Sequence, residues 1–265
     1  MTVITSTQNP LVKELRQLQR TKGRRLQQRL LLEGTHLIET ASQVIGSFEV
    51  FCYTAPWQAK YPDLLTVLQT QSQKSVLVSD EVLKSLATTV NPDGAIAVLK
   101  RDLCNTLMPS TPSLGLVLDH LQDPGNVGTI IRTAVATGVE GLWVSDDTVE
   151  LDHPKVLRAS AGSWFHLPKQ VSQDLPQLLQ TWQAQQIQVL ATLPTATTTL
   201  WDVDFTRPTV ILLSNEGQGL SSYLLPWATQ QVTIPQTQTL ESLNVAIAAA
   251  VLLYEVQRQR WLIKP

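Results

Sequence analysis

The second half of the chain contains five short apolar runs separated by helical patterns and loops. They are Leu114–Asp119, Gly141–Ser145, Ile187–Thr192, Thr209–Ser214 and Gln231–Pro235. Strands that are apolar throughout are buried on both faces, which is typical of a mainly parallel sheet covered by helices. The sequence therefore predicts an α/β fold in which ligands bind in the loops after the carboxyl ends of strands.

The first part of the chain predicts a smaller α/β domain. Its strand-like runs are Phe48–Tyr53, Ser75–Val78 and Ala95–Leu99, and a short apolar run, Leu30–Leu32, precedes Glu33 and Gly34. Residues 103–115 carry two prolines and several small polar residues without periodicity, which is typical of a linker. We therefore expect domains at 1–102 and 116–265, joined by a linker over 103–115.

Composition narrows the class of protein. The chain is 43% hydrophobic and only 16% charged, which predicts folded domains with real cores rather than a disordered chain. No apolar run is long enough to cross a bilayer, and no secretory signal is evident at the N-terminus. Cys52 and Cys104 stand outside any metal-ligand spacing. These features predict a cytoplasmic protein without a membrane span or a bound metal.

Charge is distributed unevenly along the chain. Residues 1–35 carry seven basic and two acidic side chains, so this segment is at +5 while the whole chain is at −2. A basic segment on an acidic body is the asymmetry expected where one part meets nucleic-acid phosphate. The alternative is a solvated helix face. The candidate RNA contacts are Lys13, Arg16, Arg20, Arg24 and Arg25.

The first candidate loop follows the strand that ends at Asp119. Residues 123–126 have turn chemistry, and Asn126 is predicted to cap the next helix. Gly128 would allow close approach of a ligand or another backbone. Arg132 lies in an otherwise small and apolar helix, where it is either a structural arginine or a functional one.

The second candidate loop follows Ser214. Gly217 and Gly219 would present backbone N–H groups to an acceptor, but the loop has neither a P-loop lysine nor a third glycine. Glu216 could be an exposed turn residue, a general base or a hydrogen-bond acceptor.

The third candidate loop precedes the apolar helix over residues 245–254. Ser242 is the expected N-cap, and Glu241 suits the positive end of a helix. Asn244 is a mediocre helix former placed at the start of an apolar helix, which hints at a role beyond capping.

Taken together, the three loops resemble the signature motifs of the SpoU (TrmH-like) RNA ribose methyltransferases. The first motif matches Asn126, Gly128 and Arg132. The second matches from Glu216 through Leu220, with Ser214 where glycine is usual. The third matches Ile234, Pro235 and Ser242 through Val245, with Gln236 and Gln238 as departures.

The resemblance extends to other parts of the chain. Residues 152–162 resemble the family segment that ends Arg-Ala-Ser-x-Gly, which adds Arg158 to the candidate RNA contacts. Residues 4–13, 31–35 and 91–98 resemble the small RNA-binding domain of the family.

The resemblance implies 2′-O-methylation of a ribose in structured RNA, with S-adenosylmethionine as the methyl donor. Ribosomal RNA is expected as substrate ahead of transfer RNA. It also implies a homodimer and a C-terminal trefoil knot. The alternative is a non-catalytic RNA-binding or ribosome-assembly protein that retains the fold.

The same resemblance assigns the site residues. The expected catalytic residues are Arg132, Asn126, Glu216, Ser242 and Asn244. The expected cofactor-binding residues are Leu213, Ser214, Asn215, Gly217, Gly219, Ile234 and Leu243. Arg132 would either remove the 2′-hydroxyl proton or stay charged, bind the adjacent phosphate and stabilise the alkoxide.

Overall fold

The computed structural model describes residues 3–104, 106–215, 217–237 and 242–263. The chain forms two compact units. The first unit comprises residues 1–105 and 150–165, and the second comprises residues 106–149 and 166–265. Within the described ranges, no helix combines the length and apolarity needed to cross a membrane.

The α-helices of the described chain are α1 Pro10–Arg16, α2 Thr21–Gln27, α3 Thr35–Val44, α4 Ala55–Lys60, α5 Pro62–Gln71, α6 Asp80–Leu86, α7 Pro124–Ala136, α8 Pro154–Ala159, α9 Leu175–Ala184 and α10 Val245–Leu262. The strands are β1 Arg29–Glu33, β2 Phe48–Tyr53, β3 Ser72–Leu77, β4 Ala95–Lys100, β5 Leu114–Asp119, β6 Gly141–Val144, β7 Lys169–Val171, β8 Gln188–Thr192, β9 Thr198–Thr199, β10 Thr209–Ser214 and β11 Gln230–Thr233.

The first unit is built on a four-stranded sheet in the order β1-β4-β2-β3. Strand β4 pairs antiparallel with β1 and β2, whereas β2 and β3 run parallel. The three predicted strands are present in this sheet as β2, β3 and β4, and the apolar run Leu30–Leu32 lies in β1. A buried aliphatic cluster that includes Val12, Leu15 and Leu83 packs helices α1 and α6 against the strands.

Residues 150–165 were expected in the second domain, but they belong to the first unit. The reason is electrostatic. Arg24 is fully buried and forms ion pairs with Glu150 and, at 3.4 Å, with Asp152. A buried guanidinium is tolerated only where carboxylates compensate its charge. Both compensating carboxylates of Arg24 come from this segment.

A second buried charge holds the same segment. Glu33 is buried at the end of β1 and accepts hydrogen bonds from the backbone N–H groups of Thr88 and Thr89 and from their hydroxyls. Its carboxylate also lies 2.8 Å from Nη1 of Arg158. Burial opposes ionisation, but the hydrogen bonds from Thr89 and Thr88 and the charge of Arg158 outweigh it and lower the pKa of Glu33.

The second unit is a seven-stranded sheet in the order β7-β6-β5-β10-β8-β11-β9, and all its strand pairs are parallel. The five strands predicted from apolar runs are present. Strands β7 and β9 were not predicted, because they have three and two residues and lack a buried face. The mainly parallel α/β architecture is confirmed. One core cluster of this unit centres on Trp143 and Trp182, whose rings meet edge to face at 4.6 Å.

A polar cluster ties three loops together at the carboxyl ends of β5, β6 and β10. The Asp119 carboxylate is fully buried, accepts the backbone N–H of Ser221 at 2.8 Å and lies 2.7 Å from Nδ1 of His120. His120 also places Nε2 2.5 Å from Asp147 and Nδ1 3.1 Å from the Ser221 hydroxyl. The left-handed φ of +58° at His120 turns the chain sharply into the first candidate loop.

The His120 cluster predicts a pH-dependent stability. The hydrogen bond to Asp119, together with the charges of Asp119, Asp147 and Asp146, outweighs burial and raises the pKa of His120. The stabilisation is therefore complete below the unfolded pKa of about 6.5 and is lost as pH rises through the folded value. We expect the free energy of unfolding of His120→Asn to fall below that of wild type at pH 6, with a smaller difference at pH 9.

Urea unfolding of both proteins at the two pH values measures this difference. Asparagine is the chosen replacement because it tolerates the left-handed conformation. A difference between the two proteins that does not change with pH would contradict the role of the His120 charge.

Candidate functional site

The sheet register places the first two candidate loops side by side. Strand β10 pairs in parallel with β5, so that Leu213 lies opposite Leu118 and Ser214 opposite Asp119. The loops that follow these two strands therefore leave the sheet at the same edge. Strand β10 also pairs with β8, which in turn pairs with β11. The carboxyl ends of four neighbouring strands thus form one edge.

The first loop is capped by a different residue from the one predicted. Asp123, not Asn126, is the N-cap of α7, and its carboxylate accepts the backbone N–H groups of Gly125 and Asn126. The carboxylate suits the positive end of the helix dipole. Asn126 consequently lies inside the first turn, with its side-chain amide available for other contacts.

The third loop shows the same kind of correction. Asn244, not Ser242, is the N-cap of α10, and its Oδ1 accepts the N–H groups of Ala246 at 3.0 Å and Ile247 at 3.4 Å. Asn244 has extended backbone angles, φ −53° and ψ 135°, which an N-cap requires. Its Nδ2 then donates to Oδ1 of Asn126 at 3.1 Å. One asparagine thus both starts α10 and contacts the first loop.

Arg132 lies on α7, six residues beyond Asn126 and about 9 Å further along the helix axis. Its side chain is exposed. Within the described ranges this side chain forms no ion pair or hydrogen bond. Arg132 therefore offers a free guanidinium to a ligand from solution.

A cleft opens at the carboxyl ends of β8, β10 and β11. The volume of the cleft is about 620 Å³, which includes the part that is open to solvent. Six of the seven residues predicted to bind the cofactor line it: Leu213, Ser214, Asn215, Gly219, Ile234 and Leu243. Ser242, predicted as catalytic, is also in its wall. Glu216 lies outside the described residues.

The second loop is shaped by two glycines. Gly217 is not in the cleft wall, and its N–H donates to Oδ1 of Asn215 at 2.8 Å. Gly219 has a left-handed φ of +68°, and its N–H donates to the carbonyl of Asn215 at 2.9 Å. A side chain at position 219 would strain this turn, so glycine sets the curvature of the cleft wall.

The lining of the cleft fits S-adenosylmethionine. Leu193, Leu213, Ile234 and Leu243 provide apolar walls suited to an adenine ring. The hydroxyl of Thr192 is buried in this wall and, within the described part of the chain, has no hydrogen-bond partner. Ser214 and Gln236, two of the three departures from the usual motifs, line the cleft without closing it, and Gln238 lies outside the described residues.

The contribution of the loop after β8 to the cleft was not predicted from the sequence. Thr192, Leu193 and Pro194 line the cleft, although this loop carries no glycine pair or motif polar residue. The available signal was the position alone, since residues that follow a predicted parallel strand belong to the ligand-binding edge.

The predicted RNA contacts lie in the first unit and differ in accessibility. Lys13, Arg20 and Arg25 are exposed, and Arg25 forms an ion pair with Glu150 at 2.6 Å. Arg16 is half-buried. Two assignments change: Arg24 is buried against carboxylates, and Arg158 is held by Glu33 and Thr88. These contacts give Arg24 a structural role. The side chain of Arg158 is held by its two partners but remains partly exposed.

Comparison with known proteins supports the interpretation of these loops. Residues 113–254 match the model of the SpoU rRNA Methylase family, and residues 9–97 match the MRM3-like substrate binding domain. An uncharacterized tRNA/rRNA methyltransferase of Synechocystis sp. is 56% identical, over 97% of this chain and 94% of the relative.

Two further comparisons add detail. The 23S rRNA (guanosine(2553)-2′-O)-methyltransferase RlmP of Bacillus subtilis is 30% identical, over 97% of this chain and all of the relative. The SpoU methyltransferase AviRb of Streptomyces viridochromogenes, solved in complex with AdoMet, superposes with a TM-score of 0.82 at 27% identity, covering 96% of this chain and 99% of AviRb. The chain belongs to the SpoU rRNA methylase family.

Proposed function

We propose that this chain transfers a methyl group from S-adenosylmethionine to the 2′-hydroxyl of a ribose in ribosomal RNA. The observation that carries the proposal is the cleft, in which residues of the second and third motifs meet. The Asn126–Asn244 hydrogen bond adds the first motif to the same edge of the sheet. RlmP, which is named for 2′-O-methylation of 23S rRNA, and AviRb, which holds AdoMet, support the substrate and the cofactor.

The cleft residues would bind and orient the cofactor. Leu213, Ile234 and Leu243 would enclose its apolar surfaces, and the backbone at Asn215 and Gly219 would offer groups for hydrogen bonds. When bound, S-adenosylmethionine supplies an electrophilic methyl group on a sulfonium sulfur. The protein then needs mainly to align the ribose oxygen with that carbon and to prevent other relative orientations of the ribose and the methyl group.

The 2′ oxygen of the ribose forms the new bond to the methyl carbon, the carbon–sulfur bond breaks with its electron pair going to sulfur, and the hydroxyl proton passes to solvent water. Arg132 is the group proposed to assist this step. An arginine side chain is positively charged in proteins. We therefore propose that it binds the adjacent RNA phosphate and stabilises negative charge on the oxygen, rather than acting as the base itself.

The first unit is proposed to hold the RNA. The exposed Lys13, Arg20 and Arg25 lie on or beside α1 and α2, where they can contact phosphates. The match of residues 9–97 to a substrate binding domain supports this assignment. We also propose that the chain divides into an RNA-binding part and a methyltransferase part, and that the methyltransferase part contains a trefoil knot. The protein is proposed to lie in the cytoplasm together with its RNA substrate.

Helix α10 carries the feature that supports a homodimer. Ile247, Val251, Tyr254 and Trp261 are exposed and lie four, three and seven residues apart, which places them along one stripe of the helix. An exposed apolar stripe of this length is typical of an interaction surface. We propose that two copies of the chain pack through it.

Arg132→Ala tests the proposed chemistry. We expect loss of methyl transfer by at least about 100-fold, because one preorganised group that stabilises developing charge contributes about that much. The affinity for S-adenosylmethionine, measured by calorimetry, should stay within about threefold of wild type, since Arg132 is not in the cleft wall. In cells that lack the gene, wild type but not Arg132→Ala should restore one ribose methylation in ribosomal RNA.

Arg207→Ala is the matched control, because Arg207 is an exposed arginine before the amino end of β10, at the opposite edge of the sheet. It should restore methylation like wild type. Absence of cofactor binding by wild type at millimolar concentration, or a change confined to transfer RNA, would contradict the proposed function.

Two substitutions at Asn244 separate its cap from its contact with Asn126. Asn244→Ala should lower the free energy of unfolding by about 1 kcal/mol through loss of the cap. Asn244→Ser should keep the cap, and hence the stability, because serine is a comparable N-cap. Both should reduce kcat by a similar factor, since both remove the amide that reaches Asn126.

Chemical denaturation and single-turnover methyl transfer measure the two effects separately. If the activity of Asn244→Ser equals that of wild type, Asn244 serves only as a cap.

Val251→Glu tests the homodimer. A charge in the α10 stripe should convert a dimer, at twice the chain mass of 29.3 kDa, to a monomer in sedimentation equilibrium. Val67→Glu, at a similarly exposed valine on α5, is the control and should leave the mass unchanged. A wild-type protein that sediments as a monomer at micromolar concentration would overturn the assignment.

A further inference from the structure

The hydroxyl of Thr192 stands out in the cleft wall. Thr192 is the last residue of β8, and its backbone pairs with Val232 of β11. Its Oγ1 is buried and has no hydrogen-bond partner among the residues that the structure describes. Leaving a buried hydroxyl unpaired is unfavourable, so such an atom needs an explanation.

The fold does not require a hydroxyl at this position. Other buried hydroxyls of the second unit are bonded: that of Thr209 donates to the carbonyl of Arg207 at 2.8 Å, and that of Thr137 to the carbonyl of Thr133 at 2.8 Å. Valine has the shape of threonine and an equal preference for strands, without the unpaired oxygen. The threonine at position 192 is therefore less favourable for the empty fold than valine would be.

The surroundings of this hydroxyl indicate what it meets. None of the described residues in the cleft wall carries an ionisable side chain. The methionine end of S-adenosylmethionine carries a carboxylate and an ammonium group, which an uncharged, largely apolar wall does not compensate. The adenosine end has flat apolar faces and neutral donors and acceptors, which match apolar side chains and one hydroxyl.

We propose that Thr192 is a specificity-determining residue whose hydroxyl hydrogen-bonds the adenosine part of the bound cofactor. The inference rests on the proposed function, because it assumes that the cleft binds S-adenosylmethionine. It explains the unpaired hydroxyl among the described residues, because the hydrogen-bond partner arrives with the ligand. Removing the hydroxyl then weakens binding and relieves the empty protein of an unsatisfied group.

The test compares Thr192→Val and Thr192→Ser with wild type. Calorimetry with S-adenosylhomocysteine should give a Kd about 5- to 20-fold weaker for Thr192→Val, which is the range for loss of one hydrogen bond to a buried ligand group. Thr192→Ser keeps the hydroxyl and should bind within about threefold of wild type. The Tm of the ligand-free Thr192→Val protein should equal or exceed that of wild type.

Two further arms locate the contact. 5′-Methylthioadenosine lacks the carboxylate and ammonium groups, so Thr192→Val should weaken its binding by the same factor if the hydroxyl meets the adenosine part. Thr181→Val is the control, because Thr181 lies on α9 outside the cleft wall and its hydroxyl already donates to the carbonyl of Gln177 at 2.8 Å. Its Kd for S-adenosylhomocysteine should change by less than about threefold.

The outcomes are distinct. Equal affinities of wild type and Thr192→Val would overturn the role of the hydroxyl. A loss seen with S-adenosylhomocysteine but not with 5′-methylthioadenosine, or wild-type protein that binds only the former, would overturn the assignment to adenosine. Wild-type protein that binds neither compound would instead overturn the proposed function.

Discussion

Parallel hydrogen bonding of β10 between β5 and β8 is the constraint on which the site depends. It sets the carboxyl ends of these strands at one level, and β11 extends the same edge beside β8. Loops that are about 90 residues apart in the sequence therefore leave the sheet as neighbours. The Asp119–His120–Ser221 contacts then fix the exit of the second loop relative to the first. A cleft with apolar walls follows from this arrangement.

The sheet could be predicted from the sequence because each central strand is apolar throughout. Strands β5 and β10 begin and end where the apolar runs do. Strands β7 and β9 were missed because short edge strands carry no such signal. The cofactor-binding residues were predicted from a family resemblance, and the cleft contains six of the seven. The catalytic roles of Arg132, Asn126, Glu216, Ser242 and Asn244 remain predictions.

The errors at the helix starts have one physical origin. Asp123 and Asn126, like Ser242 and Asn244, are all suitable N-caps by residue type, so propensity cannot choose within a pair. The choice depends on which residue has extended backbone angles, and tertiary packing decides that. Similarly, the burial of Arg24 depends on carboxylates more than 120 residues away along the chain. The unpaired hydroxyl of Thr192 is visible only when its surroundings are known.

The burial of Arg24 also bears on whether the N-terminal stretch of this chain can be joined to another protein. A recombinant that joins residues 1–102 to a foreign catalytic domain would carry the guanidinium but lose Glu150 and Asp152, its compensating carboxylates. Breaking a buried ion pair in this way costs about 3 to 5 kcal/mol, a large part of the stability of a small domain. The N-terminal stretch of this chain therefore folds together with residues 150–165, and residues 1–102 by themselves are not a self-sufficient unit.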